Sequence, residues 1–119
     1  MPLYIADESF TASTPQPVEI KHDYLIFYSS IVDGQLWCPD CRVVDGLIKD
    51  TFGSDKSPSA LIVYVGDRPR WKTPTNGFRG DPWKIESIPT VVKLKDGIEA
   101  ARLVDSEISA GLQEFIHST

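Results

Sequence analysis

Two apolar runs, Tyr24-Leu25-Ile26-Phe27-Tyr28 and Ala60-Leu61-Ile62-Val63-Tyr64-Val65, constrain this chain most. Neither alternates polar with apolar, so each reads as a strand buried on both faces, in a sheet covered by helices. Between them Val44, Leu47, Ile48 and Phe52 fall at i, i+3, i+4 and i+8, with Gly53 where a C-terminal cap belongs. Gly46 weakens that helix by about 1 kcal/mol relative to alanine. Strand, helix and strand make a βαβ unit, whose two strands should be parallel. Further on, Ile88-Pro89 opens a strand over Thr90 to Leu94, and Asp96-Gly97 turns it into Ile98 to Leu103 as a hairpin. Ile108, Leu112, Phe115 and Ile116 then lie on one face of a closing helix.

The remaining segments are less regular. Leu3 to Ala6 suits an edge strand, and Asp7 to Pro17, with Pro15 and Pro17, reads as a loop with at most one helical turn near Ser9. Ser29 to Leu36, around Asp33-Gly34, reads as the loop joining the first buried strand to the helix. Gly66 to Trp83 either caps a core or forms a binding surface, and Trp71 and Trp83 are expected to pack. The fold class is α/β, a central mixed sheet flanked by helices. At 119 residues, a single domain spanning 1–119 is expected.

Trp37-Cys38-Pro39-Asp40-Cys41 contains both cysteines of the chain. Pro39 biases Cys38 away from helical dihedrals and suits the first helical position, which makes Cys38 the expected N-cap. A sulfur there lies near unpaired backbone N–H groups and the positive end of the helix dipole, both of which favour thiolate. Structural zinc would need about four ligands, and only His22 and His117 could join the pair, so no metal is expected. A structural disulfide across so short a loop removes only about 2 kcal/mol of unfolded-state entropy, against about 4.7 for a hundred-residue loop. Two unrelated buried thiols would fall at this spacing only by coincidence. A dithiol/disulfide redox pair accounts for the motif best. Asp40 suits the helix dipole yet raises a nearby thiol's pKa, and it is equally a candidate for proton transfer and a plain helix-start acid. Trp37 either packs or shields one side of the sulfur.

Seventeen acidic against twelve basic residues give a net charge of −5 and no strong Lys/Arg cluster, which argues against a nucleic-acid partner. No apolar run is long enough to span a bilayer. Met1 to Glu8 does not read as a signal peptide, so the expected address is the cytoplasm, where a C-x-x-C is more often catalytic than structural.

The motif W-C-P-D-C at positions 37–41, together with Val65-Gly66-Asp67-Arg68-Pro69, Trp71-Lys72, Asn76, Phe78-Arg79 and Ile88-Pro89-Thr90, resembles the thioredoxin-related family typified by thioredoxin domain-containing protein 17. That resemblance covers most of the chain from about Tyr24 onward. It implies a thioredoxin-like fold and disulfide reduction by thiol–disulfide exchange, with Cys38 attacking and Cys41 resolving. It also implies a cis Pro89 facing the dithiol. Trp37, Pro39, Ile88 and Pro89 would then border the substrate, with the Ile88 backbone free to pair with it. No cofactor would be bound; electrons would come from NADPH through thioredoxin reductase to reduce disulfide-containing proteins or small disulfides such as cystine. A redox-sensitive binding module without turnover is the alternative.

Two features depart from the family pattern. A regular helix is usual where Asp7 to Pro17 stands. Ordinary thioredoxins also carry a buried aspartate on the central strand that serves the resolving cysteine, whereas this strand reads Ile26-Phe27-Tyr28. Asp40 is then the nearest candidate acceptor. Ser29 to Leu36 and Gly66 to Arg79, long for connections, are expected to restrict access to Cys38. Asp33 and the net charge should disfavour acidic substrates, subject to screening beyond about 8 Å.

Overall fold

The computed structural model describes residues 3–6, 22–53, 58–80, 83–95 and 98–117. The segment Asp7 to Pro17 and the Asp96-Gly97 turn lie outside these residues. Three parallel strands, β1 (Leu3–Ile5), β2 (Tyr24–Tyr28) and β5 (Ala60–Tyr64), join two antiparallel ones, β6 (Thr90–Lys95) and β7 (Ile98–Val104), in the order β1-β5-β2-β6-β7. β2 is therefore central: Ile26 lies opposite Ile62 of β5 on one side and Val91 of β6 on the other. Burial of its whole length follows from its sequence, which offers no polar side to water.

Alternate side chains of β2 meet different layers. Tyr24 faces α1 (Pro39–Phe52) and α3 (Ser106–His117), with its ring 5.2 Å from Phe52 and 6.0 Å from Phe115. A hydrogen bond of 2.9 Å from Gln113 to Thr51 ties those two helices together. Phe27 points the opposite way, where its ring meets Phe78 edge-on at 5.8 Å and Trp83 at 5.6 Å. Among the described residues, aromatic side chains from residues 66–80 and 83 pack on this second face.

The described part of that segment, residues 66–80 and 83, is more ordered than the composition suggests. It forms α2 (Arg68–Lys72), capped by Asp67 accepting the Arg70 N–H at 3.1 Å, and a 3₁₀ turn (Gly77–Arg79) capped by Asn76 accepting the Phe78 N–H at 3.0 Å. Buried Trp71, Phe78 and Trp83 anchor it, and the Arg79 guanidinium stacks 4.0 Å from the Trp71 ring. Residues 29–36 also depart from the loop expectation. They fold as a hairpin of β3 (Ile31–Val32) and β4 (Gln35–Leu36), turned by Asp33 and Gly34 at φ 53° and 84°. Left-handed dihedrals at both turn positions match the twist of the flanking strands, and Asp-Gly supplies them at low cost. At the end of α1, Gly53 is in the expected place but in right-handed conformation; a Cβ there would run into the Lys49 carbonyl.

Candidate functional site: the Cys38–Cys41 dithiol

The dithiol sits where β2 and β5 end and β6 begins. Ser30, just beyond β2, donates its N–H to the Gly66 carbonyl at 3.2 Å and accepts the Gly66 N–H on its hydroxyl at 3.0 Å. Trp37 donates from its indole to the same carbonyl at 2.9 Å, and the Arg68 guanidinium lies 5.2 Å above its ring. Gly66 holds φ +119°, which a side chain would rarely adopt. The loops before α1 and after β5 are thereby joined, and Trp37 forms a fixed wall beside the first cysteine.

Cys38 has extended dihedrals, φ −86° and ψ 117°, and precedes Pro39 at the first helical position. It is the N-cap of α1, with no side-chain capping bond. Its carbonyl accepts the Arg42 N–H at 3.1 Å, the first turn of the helix. Both cysteines are free and buried, Cys38 at 7% exposure and Cys41 at 0%. The Ile88–Pro89 peptide bond is cis, and the Cys38 Sγ lies 3.8 Å from the Ile88 carbonyl oxygen. Pro89 in turn accepts the Asp105 N–H on its carbonyl at 2.8 Å. The structure therefore gathers Trp37, Cys38, Pro39, Cys41, Ile88 and Pro89 at one end of the sheet.

Electrostatics separates the two thiols. A hydrogen bond from the Cys41 thiol is the largest influence on Cys38 and lowers its pKa to about 6, helped by the backbone N–H groups of Cys41 and Asp40. Burial and the Asp40 charge oppose that shift. Cys41 moves the other way: donating to Cys38 and being buried both push its pKa up, while contacts with Ser29 pull it down. Asp40 is exposed, and its charge presses on Cys38 and on Asp105, whose pKa is raised by burial and then by Asp40. Ser29, which in the sequence reads only as part of a loop, lies beside the dithiol with its hydroxyl accepting the Cys38 N–H.

Alkylation by iodoacetamide tests this asymmetry, because only thiolate reacts. The reduced protein should label at Cys38 far faster than at Cys41. The rate should hold roughly constant above a midpoint near pH 6 and fall about tenfold per pH unit below it. Preferential labelling of Cys41, or a midpoint in the ordinary thiol range, would contradict the geometry. A separate cavity of about 790 Å³, lined by Tyr28, Tyr64, Asp45 and Leu36 among others, has neither cysteine in its wall.

Residues 7–117 match the family described as thioredoxin domain-containing protein 17-like, thioredoxin domain. The chain belongs to this family. It is 33% identical over 107 residues to the thioredoxin-like protein Clot of Oryza sativa subsp. japonica, covering 85% of this chain and 77% of that protein. With thioredoxin domain-containing protein 17 of Mus musculus it shares 34% over 93 residues, covering 76% and 72%. Among solved structures, Chlamydomonas reinhardtii thioredoxin f2 superposes with a TM-score of 0.62 at 14% identity, over 95% of this chain and 93% of that one. Fasciola hepatica thioredoxin gives 0.56 at 20% identity, over 78% and 75%. These last likenesses establish the thioredoxin fold.

Proposed function

We propose that the protein is a cytoplasmic thiol–disulfide oxidoreductase that reduces disulfides. The observation carrying this reading is the position of Cys38 at the N-cap of α1, where helix N–H groups favour thiolate, one turn from Cys41 and beside the cis Ile88–Pro89 bond. Cys38 thiolate attacks one sulfur of a substrate disulfide; a Cys38–substrate bond forms and the other substrate sulfur leaves as thiolate. Cys41 then attacks Cys38, closing the intramolecular disulfide and releasing the second substrate thiolate. The substrate gains two electrons and two protons. NADPH, through thioredoxin reductase, returns two electrons to the Cys38–Cys41 disulfide. Trp37 and the Ile88–Pro89 backbone border the approach, Ile88 offering backbone groups for an extended substrate. Asp40, exposed in the first turn, tunes Cys38 through its charge.

Buried on the Trp37 side, at 7% exposure, Cys38 favours disulfides that can reach into the site. Cystine and unstructured peptide disulfides should be reduced with a kcat/KM at least about tenfold above that for a disulfide held in a folded protein. NADPH consumption coupled to thioredoxin reductase, with each substrate in turn, measures both turnover and preference. Absence of turnover with every disulfide would instead favour a redox-sensitive binding module. Equal or better reduction of the folded disulfide would show that the walls of the site do not select.

A further inference from the structure

Ser29 has no part in the steps above, yet it is fully buried at the dithiol. Its hydroxyl oxygen accepts the Cys38 backbone N–H at 3.2 Å, which places it beside the dithiol, and its backbone and side chain both pull the Cys41 pKa down. A hydroxyl has one proton to donate and two lone pairs to accept. With one lone pair taken by the Cys38 N–H, the proton is left for the Cys41 sulfur. Other groups around Cys41 are poorly suited to this task. The Tyr28 hydroxyl is buried and its pKa is raised, first by burial and then by neighbouring Asp45 and Cys41, while Asp40 is exposed. Among the described residues the buried serine and threonine side chains are Ser29, Thr51 and Thr90, and no carboxylate is buried.

We propose that the Ser29 hydroxyl donates a hydrogen bond to the Cys41 sulfur and stabilises its thiolate while the mixed disulfide is resolved. The inference rests on the redox reading above. In the reduced protein the bonds run in a chain, from the Ser29 hydroxyl to the Cys41 thiol and from that thiol to the Cys38 thiolate, each polarising the next. Once Cys38 is bonded to substrate, it no longer holds the Cys41 proton. Cys41 then loses that proton, which ends on the departing substrate sulfur. The electron pair of Cys41 forms the bond to Cys38, and the Cys38–substrate bond breaks toward the substrate. Ser29 keeps its own proton throughout and lowers the energy of the charge developing on Cys41. Donation to a charged group, lost without replacement in a buried site, corresponds to about a 10- to 100-fold change in rate.

The reaction of reduced protein with excess dithiobis(nitrobenzoate) separates the two steps. Attack by Cys38 releases one coloured thiolate in a fast phase, and resolution by Cys41 releases the second. Ser29→Ala removes only one oxygen atom, and Ser29→Gly serves should the alanine variant fail to fold. The ratio of the second rate to the first should fall at least about tenfold in these variants, and the second phase should shift to higher pH. Ser29→Thr, which keeps the hydroxyl, should recover part of the ratio. A ratio within about threefold of the wild type, including equal slowing of both phases, would overturn the proposal and leave Ser29 a structural tie to the Cys38 N–H. Failure of the wild type to release a second thiolate would instead count against the redox reading itself.

Discussion

Cys38→Ser should abolish disulfide reduction, lowering kcat/KM by a factor of at least about 1,000, because the chain's one other sulfur nucleophile is the buried, high-pKa Cys41. Cys41→Ser should lose turnover just as completely but retain the first chemical step. Cys38 would still attack, and without a resolving sulfur the mixed disulfide would persist; mass spectrometry after incubation with cystine should find one half-cystine on Cys38. The two replacements of Cys41 differ in a way the geometry dictates. The hydrogen bond from Cys41 is the first cause of the lowered Cys38 pKa. Serine can still donate in its place, whereas alanine cannot. The alkylation midpoint of Cys38 should therefore rise more in Cys41→Ala than in Cys41→Ser. Equal midpoints in the two variants would show that helix N–H groups alone set the Cys38 pKa. Recovery of turnover in either variant would remove Cys41 from the resolving role.

What could be read from the sequence followed the range over which its signals act. β2 and β5 were legible because an unbroken apolar run has no exposed face to offer, and α1 because fourteen residues carry several turns of a repeating stripe. The β3–β4 hairpin was missed despite Asp33-Gly34. Its strands are two residues each, and Ile31, Val32 and Gln35 are exposed, so no alternation can show. Residues 66–83 read as irregular for a related reason: a five-residue helix and a single 3₁₀ turn are too short for helical periodicity to register. Their order comes from caps and buried aromatics, which sequence periodicity does not see. At the site, Cys38 and Cys41 announced themselves by spacing and by Pro39. Ser29 did not, since a hydroxyl after an apolar strand looks like any turn residue. Its contact with Cys38 spans nine residues of chain and exists only once the hairpin has folded back.

The same aromatic cap gives the largest expected effect on stability, at Phe27. Phe27→Ala should destabilise the fold by about 3–5 kcal/mol, a large share of the roughly 5–15 kcal/mol available to a domain of this size. Phe27 is fully buried, and its ring joins the central strand to Phe78 and Trp83, so truncation removes burial and two aromatic contacts at once. The urea midpoint should fall with an unchanged m-value, and the melting temperature should drop by roughly 15 °C or more. Val43→Ala, at a position 73% exposed on α1, is the matched control and should change stability by about 0.5 kcal/mol or less. The outcome also decides what residues 66–83 are. If they close the core, Phe27→Ala costs the full amount and loosens the Gly66 carbonyl that holds Trp37 beside Cys38, so the mutant should also alkylate Cys38 with altered kinetics under native conditions. A cost below about 1.5 kcal/mol, with Cys38 reactivity unchanged, would mean that the segment is a loosely held flap and that the wall beside the nucleophile stands without it.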